Sequence, residues 1–207
     1  MPGVSLSILG MLILLVGAAC GVFWMLTRRW VHSRQMGALY DWARANGMRI
    51  DRRGELALPD VLLPLSEQPQ LALGLHGEDT VIVQLRTQPT GGQLHPRLWN
   101  VFLRRLPIRW PATALRIADA ESQFVDFFSL PAIAGVEGSD RFTVHGEDRS
   151  AAAGLAASPV GAMLPPGIGL LLRGDYLLLD FSSRPFDGTE FDRLGVVADQ
   201  VIAHLPN

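Results

Sequence analysis

The sequence predicts an α+β fold, in which a single N-terminal transmembrane helix is followed by one domain of antiparallel sheet hairpins covered by helices. Three observations lead to this prediction. Residues 4–26 form an uncharged, mostly apolar run. Short segments with alternating apolar residues follow it, separated by turns, and an amphipathic segment closes the chain. Since hairpins and helices bury their apolar faces against one another, we predict a transmembrane anchor at residues 1–27 and one soluble α+β domain at residues 28–207.

The apolar run is long enough to cross a bilayer. As a helix it extends about 34 Å, against about 30 Å of hydrocarbon. A cleaved signal peptide is disfavoured, because residues 1–3 carry no Lys or Arg and the apolar run is too long. A lipoprotein signal at Cys20 has Ala18 and Ala19 before it, but Gly17 stands where a branched aliphatic residue is expected. We predict a retained anchor, and lipidation of Cys20 stays open.

Charges beside the apolar run predict its orientation. Arg28, Arg29 and Arg34 follow the run, and positively charged flanks stay in the cytoplasm. Trp24 and Trp30 bracket the same boundary, where an indole can bury its ring and keep its N–H hydrated. The prediction is a single-pass protein of the bacterial inner membrane that contacts membrane lipid through this helix and has a cytoplasmic C-terminal domain.

Three glycines give the predicted anchor a packing face. Gly10, Gly17 and Gly21 lie on one side of a helix, because their spacing follows the helical repeat. Small residues at this spacing let two membrane helices approach closely. Glycine is also ordinary in membrane helices, so the pattern alone leaves its role open. The expected partner is another membrane or envelope protein, or a second copy of this chain.

Composition excludes several classes of function. A net charge of -2, and no basic tract beyond the arginines near the anchor, argue against nucleic acid as a partner. All 18 cationic residues are arginine, which is typical of a GC-rich bacterial genome. Without lysine, P-loop and Schiff-base chemistry are impossible. Cys20 is the only cysteine, so no intrachain disulfide can form. No cofactor is predicted.

The first half of the predicted domain holds one helix and three strands. Gly47 suits the left-handed cap of the helix, and His76-Gly77-Glu78-Asp79 is predicted to join two strands as a hairpin turn. The predicted elements are a helix to residue 46, strands at 48–50, 71–75 and 80–87, one turn of helix at 60–63 and a mobile loop at 88–97.

The second half is predicted to combine strands with two helices. The predicted strands are 99–106, 114–117, 141–145, 168–173 and 176–182, and residues 123–129 are assigned to neither class. The predicted helices are 150–157, which breaks near Pro159 and resumes to about Leu164, and 190–205. Gly174-Asp175 is typical of a type II′ turn, so the last two strands are predicted to form a hairpin. Asp148 is predicted to cap the first helix, and Thr189 with Asp192 resembles a capping box for the second.

No motif in the sequence identifies a catalytic residue. His-Gly-Glu-Asp occurs at 76–79 and again at 145–148. Imidazole and carboxylates can bind divalent ions, yet glycine and acidic residues are also favoured in turns, and a duplicated strand–turn unit would leave the same repeat. We favour turns and predict no metal site. Neither H-E-x-x-H nor G-x-S-x-G is present, so the catalytic residues, if any, stay unknown.

Several short segments resemble a known group of proteins. Residues 139–148 read Ser-Asp-Arg-Phe-Thr-Val-His-Gly-Glu-Asp, and an alanine-rich segment and Gly174-Asp175 follow them. Before them come an alanine-containing helix end at 42–48 and a strand ending in Leu106-Pro107. Over about residues 39–205, the chain resembles a loosely defined group of uncharacterised, often membrane-anchored bacterial proteins. The resemblance implies a single α+β domain and supplies no catalytic residue.

The anchor, the glycine face and the missing catalytic signatures together predict a non-catalytic protein. Its cytoplasmic domain is expected to act as a protein-interaction or scaffold module in an envelope assembly. One alternative is a membrane-tethered hydrolase whose site is assembled from dispersed His, Asp and Ser residues. Another alternative is a ligand-sensing module in which residues 88–97 act as a lid.

Overall fold

A computed structural model describes residues 3–52, 54, 56, 59–62, 70–87, 97–136 and 140–206. The chain divides into two compact units, Met1–Trp42 and Ala43–Asn207. The first unit is helical, and the described strands all belong to the second.

Helix α1 spans Gly3–Ala45 as one continuous helix, and the described part of the first unit consists of this helix up to Trp42. The predicted transmembrane helix at residues 1–27 is wrong, because no helix in the described part of the chain is long and apolar enough to cross a membrane. The predicted single-pass inner-membrane location depended on that helix and is corrected with it. The apolar run is part of a 43-residue helix that continues through Arg28 and Arg29, so the helix does not end at the predicted boundary near residue 27.

The second unit is built on a six-stranded antiparallel sheet with helices, an α+β architecture. Its strands are β1 (Arg49–Asp51), β2 (Gln70–His76), β3 (Thr80–Arg86), β4 (Leu98–Ile117), β5 (Phe142–Gly146) and β6 (Gly169–Asp180). The first half of β4 pairs with β3, its second half pairs with β5, and β6 pairs with both halves. The predicted β2–β3 hairpin is confirmed, and the N–H of Gly77 donates to the carbonyl of Thr80 in its turn.

Strand β4 takes the place of two predicted strands. The segments on either side of residue 110 form one strand of 20 residues. Its pairing with β6 shifts register between Arg105 and Trp110, and the intervening residues 106–109 are termed the β4 bulge. Pro107 has no N–H to donate, so a regular hydrogen-bond ladder cannot continue through it. The proline explains why the sequence predicts two separate strands, although the structure has one continuous strand.

Strand β6 takes the place of the predicted hairpin at Gly174-Asp175. It is one strand of 12 residues, whose two halves both pair with β4. Gly174 has a φ of +57° and lies opposite Trp110. The glycine therefore lies at an irregularity in the β4–β6 pairing, where the backbone needs a residue with a left-handed conformation. The predicted hairpin with a type II′ turn is wrong.

The β4–β6 ribbon is sharply folded. A straight strand of this length would span about 36 Å. Gln123, however, packs against Gly169 at the start of β6, and the N–H of the next residue, Phe124, donates to Asp180 at its end. Adjacent residues can bridge both ends only if the strand bends back between them. The β4 bulge and Gly174 lie at that bend.

The helices of the second unit are α2 (Arg149–Ala157), α3 (Val160–Met163) and α4 (Gly188–Ala203). Asp148 caps α2, as predicted, and its Oδ1 accepts from the N–H groups of Ser150 and Ala151. The predicted capping box of α4 is wrong. Asp187 caps this helix, and its Oδ1 accepts from the N–H of Glu190.

The inner side of the folded ribbon is filled by a 3₁₀ helix. This helix, Phe124–Phe128, lies in the segment that the sequence pattern left unassigned. Phe124 is fully buried and packs against the rings of Trp99, Phe127 and Phe128. The same cluster includes residues from both halves of the ribbon, namely Val101, Ala114, Leu171 and Leu178. Helices α2 and α4 contact the sheet as well, through β5 and through β4 and β6.

Candidate functional site

A cleft of about 450 Å³ opens where the two ends of the folded β4–β6 ribbon meet, and it is termed the ribbon-end cleft. Its lining residues are Arg97, Leu98, Ile117, Asp119, Ala120, Glu121, Ser122, Gln123, Gly167, Asp180, Ser182 and Ser183. Ligand pockets in proteins commonly measure about 300–1,000 Å³. The cleft is therefore large enough for a small molecule or for part of a larger one.

Asp180 is the buried carboxylate of the ribbon-end cleft. Its Oδ2 accepts from the N–H of Phe124 at 2.6 Å. Its Oδ1 accepts from the N–H of Ser182 at 3.0 Å and from the Ser182 hydroxyl at 2.5 Å. Burial raises the pKa of Asp180, while the bonds from Ser182 and Phe124 and the charge of Arg97 act in the opposite direction. The carboxylate thus fastens the 3₁₀ helix to the end of β6.

Asn100 connects the floor of the cleft to the sheet. Its N–H donates to the hydroxyl oxygen of Ser182 at 3.0 Å. Its side-chain Oδ1 accepts from Gln84 Nε2 at 3.0 Å, and its Nδ2 donates to the carbonyl of Arg184 at 3.3 Å. A bonded chain of polar groups therefore runs beneath the cleft, and such networks fix side-chain positions when their members are paired.

Gln123 forms one wall of the cleft. Its side chain is buried and bonds to both backbone groups of Ile117, because Nε2 donates to the carbonyl at 2.9 Å and Oε1 accepts from the N–H at 3.0 Å. A Cβ at Gly169 would lie 2.6 Å from Gln123 Oε1. A Cβ at Gly167, which has a φ of +78°, would lie 2.7 Å from Ser183 Oγ. Both close approaches require glycine.

Arg97 is the cation of the cleft. Its guanidinium carbon lies 4.3 Å from the centroid of the Trp99 ring, a cation–π contact. The guanidinium also donates to the Ser122 hydroxyl and, at 3.1 Å, to the Ser122 carbonyl. Asp119 and Glu121 contribute exposed carboxylates from the same loop. The lining therefore carries more carboxylates than cations.

The chemistry of these groups suits binding better than nucleophilic catalysis. The Ser182 hydroxyl donates to the Asp180 carboxylate, which is a weak base for a hydroxyl proton, whereas serine hydrolases use a histidine for this step. The described lining contains no histidine. Hydroxyl, amide and carboxylate groups around a cleft are instead suited to hydrogen bonding with a polar ligand.

The two His-Gly-Glu-Asp segments lie outside the lining of the cleft. His76 ends β2 and is buried, and its Nε2 has no hydrogen-bond partner among the described residues. His145 lies in β5, where its Nδ1 is 3.0 Å from the carbonyl oxygen of Leu130. A polar pocket in which His76 or His145 meets carboxylates would favour the hydrolase alternative, and neither histidine is in the lining of this cleft. Across the described ranges, no three His, Cys, Asp or Glu side chains form a group suited to a metal ion.

The site residues predicted from the sequence all fall on α1. Gly17 and Gly21 have open space where a Cβ would be, and Trp24 and Arg34 are exposed. The structure describes the backbone of four others but not their side-chain environment, namely Gly10, Arg28, Arg29 and Trp30. The roles assigned to these residues stay predictions. The predicted lid falls mostly at 88–96, outside the described residues.

The ribbon-end cleft was missed by reasoning from the sequence. Asp180 follows three leucines, and a lone carboxylate that ends an apolar strand is the one local signal for it. Arg97 and Gln123 carry no such signal. Ser122, to which Arg97 donates, lies 25 residues further along the chain, and Gln123 bonds to Ile117 across an irregular turn.

The β4 bulge is the second exposed feature of the ribbon. Ile108 is 48% exposed, while its neighbours Leu106 and Trp110 are buried. The side chain of Arg109 is 83% exposed, and its Nε lies 3.9 Å from Asp175 Oδ1. A bulge redirects side chains, and this one presents an apolar residue next to a cation.

The sheet, the 3₁₀ helix and the cleft define an α+β domain with a polar cleft. No protein-family model and no curated protein matches the chain. Among solved structures, it is similar to the crystal structure of the mycobacterial trehalose monomycolate transport factor A, TtfA. The similarity covers 80% of this chain and 91% of that chain, with a TM-score of 0.55 and 9% sequence identity. At this identity, the comparison establishes a shared fold only.

Proposed function

We propose that this protein is a non-catalytic accessory factor of lipid transport in the bacterial envelope, and that it acts by binding another protein. The observation that carries the proposal is the fold shared with TtfA, whose name describes it as a trehalose monomycolate transport factor. Because a fold hosts many functions, the proposal also draws on the surface and the cleft of this chain.

The cleft supports a role without catalysis. The polar groups at its floor and wall, Asp180, Ser182 and Gln123, bond to backbone groups that hold the fold together. A general base or nucleophile needs to reach the substrate and to exchange its proton. Groups that are committed to the fold in this way are suited to maintaining a shape that another molecule recognises.

The β4 bulge is the proposed contact with the partner. Interface cores are enriched in arginine and in large apolar residues and depleted of other charges. Ile108 and Arg109 offer that combination at the bend of the ribbon. The long, exposed ion pair of Arg109 with Asp175 contributes little stability, so a partner's carboxylate could replace Asp175 at small cost. Self-association, avoidance of nucleic acid and membership of the bacterial group named above stay predictions.

A complementation experiment tests the proposal. Cells that lack the protein are pulse-labelled with radioactive acetate, and the transport of each envelope lipid class is followed by fractionation. We expect one lipid class to accumulate at its site of synthesis. The wild-type protein and a Val196→Asp variant should restore its transport, whereas an Ile108→Asp variant should not.

Val196 provides the matched control, because it is an exposed apolar residue of α4, 58% exposed, and lies outside the bulge. Normal transport of every lipid class in cells without the protein would contradict the transport role. Equal rescue by the two aspartate variants would contradict the assignment of the bulge as the contact surface.

A further inference from the structure

We propose that the ribbon-end cleft binds a neutral polyhydroxylated group, such as the sugar of a glycan or the sugar headgroup of a glycolipid. This inference goes beyond the proposed function, which assigns the protein partner to the β4 bulge. The cleft lies where the ends of the ribbon meet and the bulge lies at its bend, so the two surfaces can be tested separately.

The polar lining provides acceptors for hydroxyl groups. Asp119 and Glu121 place two exposed carboxylates on one loop of the cleft. Ser183 lines the same cleft, and its hydroxyl donates to the carbonyl of Gly167 at 2.9 Å, which leaves its lone pairs free to accept. Hydrogen bonds from a hydroxyl to a carboxylate are short and strong. A ligand with several adjacent hydroxyl groups therefore matches this lining.

The charge of the lining disfavours an anionic ligand. Three carboxylates, those of Asp119, Glu121 and Asp180, accompany one guanidinium, that of Arg97. The guanidinium already bonds to Ser122 and stacks on the Trp99 ring. A phosphate or carboxylate would meet repulsion from like charges that a single engaged cation cannot offset. The charge balance thus favours a neutral ligand.

Apolar side chains complete the cleft. Leu98, Ile117 and Ala120 line it together with the polar groups, and Leu98 is 45% exposed. Sugar rings have apolar C–H faces as well as hydroxyl edges, so a lining of both kinds fits them. The volume of about 450 Å³ accommodates one or two sugar rings on the usual scale of ligand pockets.

An NMR titration of the isotope-labelled full chain tests the inference. The probes are maltose, myo-inositol, micelles of dodecyl maltoside and micelles of dodecylphosphocholine. We expect the amide resonances of Gly167, Ser182 and Ser183 to shift with a sugar-bearing probe. Shifts with maltose or inositol identify a free polyol as a sufficient ligand. Shifts with dodecyl maltoside alone identify a lipid-linked sugar as the ligand.

Two exposed carboxylates provide the test variants, since their substitution leaves the core intact. Asp119→Asn and Glu121→Gln should each weaken binding about tenfold, because each removes a charge-assisted hydrogen bond. Glu78→Gln is the matched control, because Glu78 is an exposed carboxylate in the β2–β3 turn. It should leave the affinity unchanged, and all three variants should keep the wild-type unfolding midpoint.

Three results would overturn the inference. The first is the absence of shifts at the cleft with every sugar-bearing probe. The second is an equal response to dodecylphosphocholine, which would show that the alkyl chain or a charged headgroup is bound. The third is binding that Asp119→Asn and Glu121→Gln leave unchanged. Each result concerns the purified protein and a sugar, so each can occur while the lipid-transport phenotype of the proposed function persists.

Discussion

Asp180 links the end of β6 to the 3₁₀ helix inside the folded ribbon. Substitution by alanine removes the acceptor for the N–H groups of Phe124 and Ser182, and leaves the first buried and the second partly buried without this partner. Unpaired buried donors of this kind destabilise a protein by about 1–3 kcal/mol each. We therefore expect Asp180→Ala to lower the free energy of unfolding by about 2–4 kcal/mol in urea titrations.

The control for this variant is Asp199→Ala, which removes an exposed carboxylate that pairs with Arg104 at 2.9 Å. Exposed ion pairs contribute about 0–1 kcal/mol, so this variant should stay close to the wild type. Equal stability of the Asp180 and Asp199 variants would show that the carboxylate of Asp180 does not fasten the 3₁₀ helix.

His76 gives the fold a dependence on pH with a definite sign. Burial lowers the pKa of His76, the Asp51 carboxylate raises it in part, and the charge of Arg49 lowers it further. The unfolded chain therefore binds a proton more readily than the folded chain, and stability falls as the pH drops below the ordinary value of 6.5. Urea unfolding at pH 7 and pH 5 should show a smaller loss for His76→Gln than for the wild type. Parallel losses would contradict this role of His76.

Single residues were predictable from the sequence when their partners are local. Asp148 caps a helix whose N–H groups lie two and three residues ahead, and cap preferences depend only on such neighbours. Asp180 also accepts from the N–H of Phe124, which lies 56 residues away along the chain. Local sequence propensities do not predict contacts between residues so far apart, so the floor of the cleft could be identified only from the fold.

At the scale of elements, we expect substitution by alanine to have opposite effects on stability at two glycines. Gly174 has a φ of +57° at the bend of the ribbon, whereas Gly195 lies within α4, and a Cβ at either position would meet open space. An added methyl group therefore makes no new contact at either position, and the backbone conformation alone determines the change in stability. Gly174→Ala should destabilise the protein by about 1 kcal/mol, and Gly195→Ala should stabilise it by about 0.5–1 kcal/mol.

Thermal or urea unfolding of the two variants measures both effects against the same wild type. A stabilising Gly174→Ala would show that the backbone at position 174 does not require a positive φ, and the account of the bend would then be incorrect. A destabilising Gly195→Ala would show that the helix surface at that position is packed.

Strand content was predictable, while strand connectivity was not. In β3, the buried residues Val83 and Leu85 alternate with the polar Gln84, and this alternation is visible in the sequence. By contrast, the sequence predicts two strands in place of β4 because Pro107 interrupts the hydrogen-bond ladder. It predicts a hairpin in place of β6 because Gly174-Asp175 is a sequence typical of turns. Both irregularities occur where the two strands lie opposite each other, and a bulge of this kind is defined by the pair of strands.

At the scale of the whole molecule, periodicity and turns were sufficient for the antiparallel α+β architecture of the second unit, because the layers follow from which faces are apolar. They were not sufficient for the first unit. A hydropathy window identifies an apolar run, but it does not define the helix that contains the run, and α1 extends over 43 residues. The cleft could not be predicted at all, since it exists only where the ribbon folds back.

The proposed role depends on a protein partner at the bend of the ribbon, and photo-crosslinking in living cells tests it most directly. A benzophenone amino acid would replace Ile108 in one variant and Val196 in a second. The account predicts one adduct of defined mass at position 108, identified by mass spectrometry as a component of a lipid transporter, and no such adduct at position 196. No adduct at position 108, or the same adduct at both positions, would contradict it.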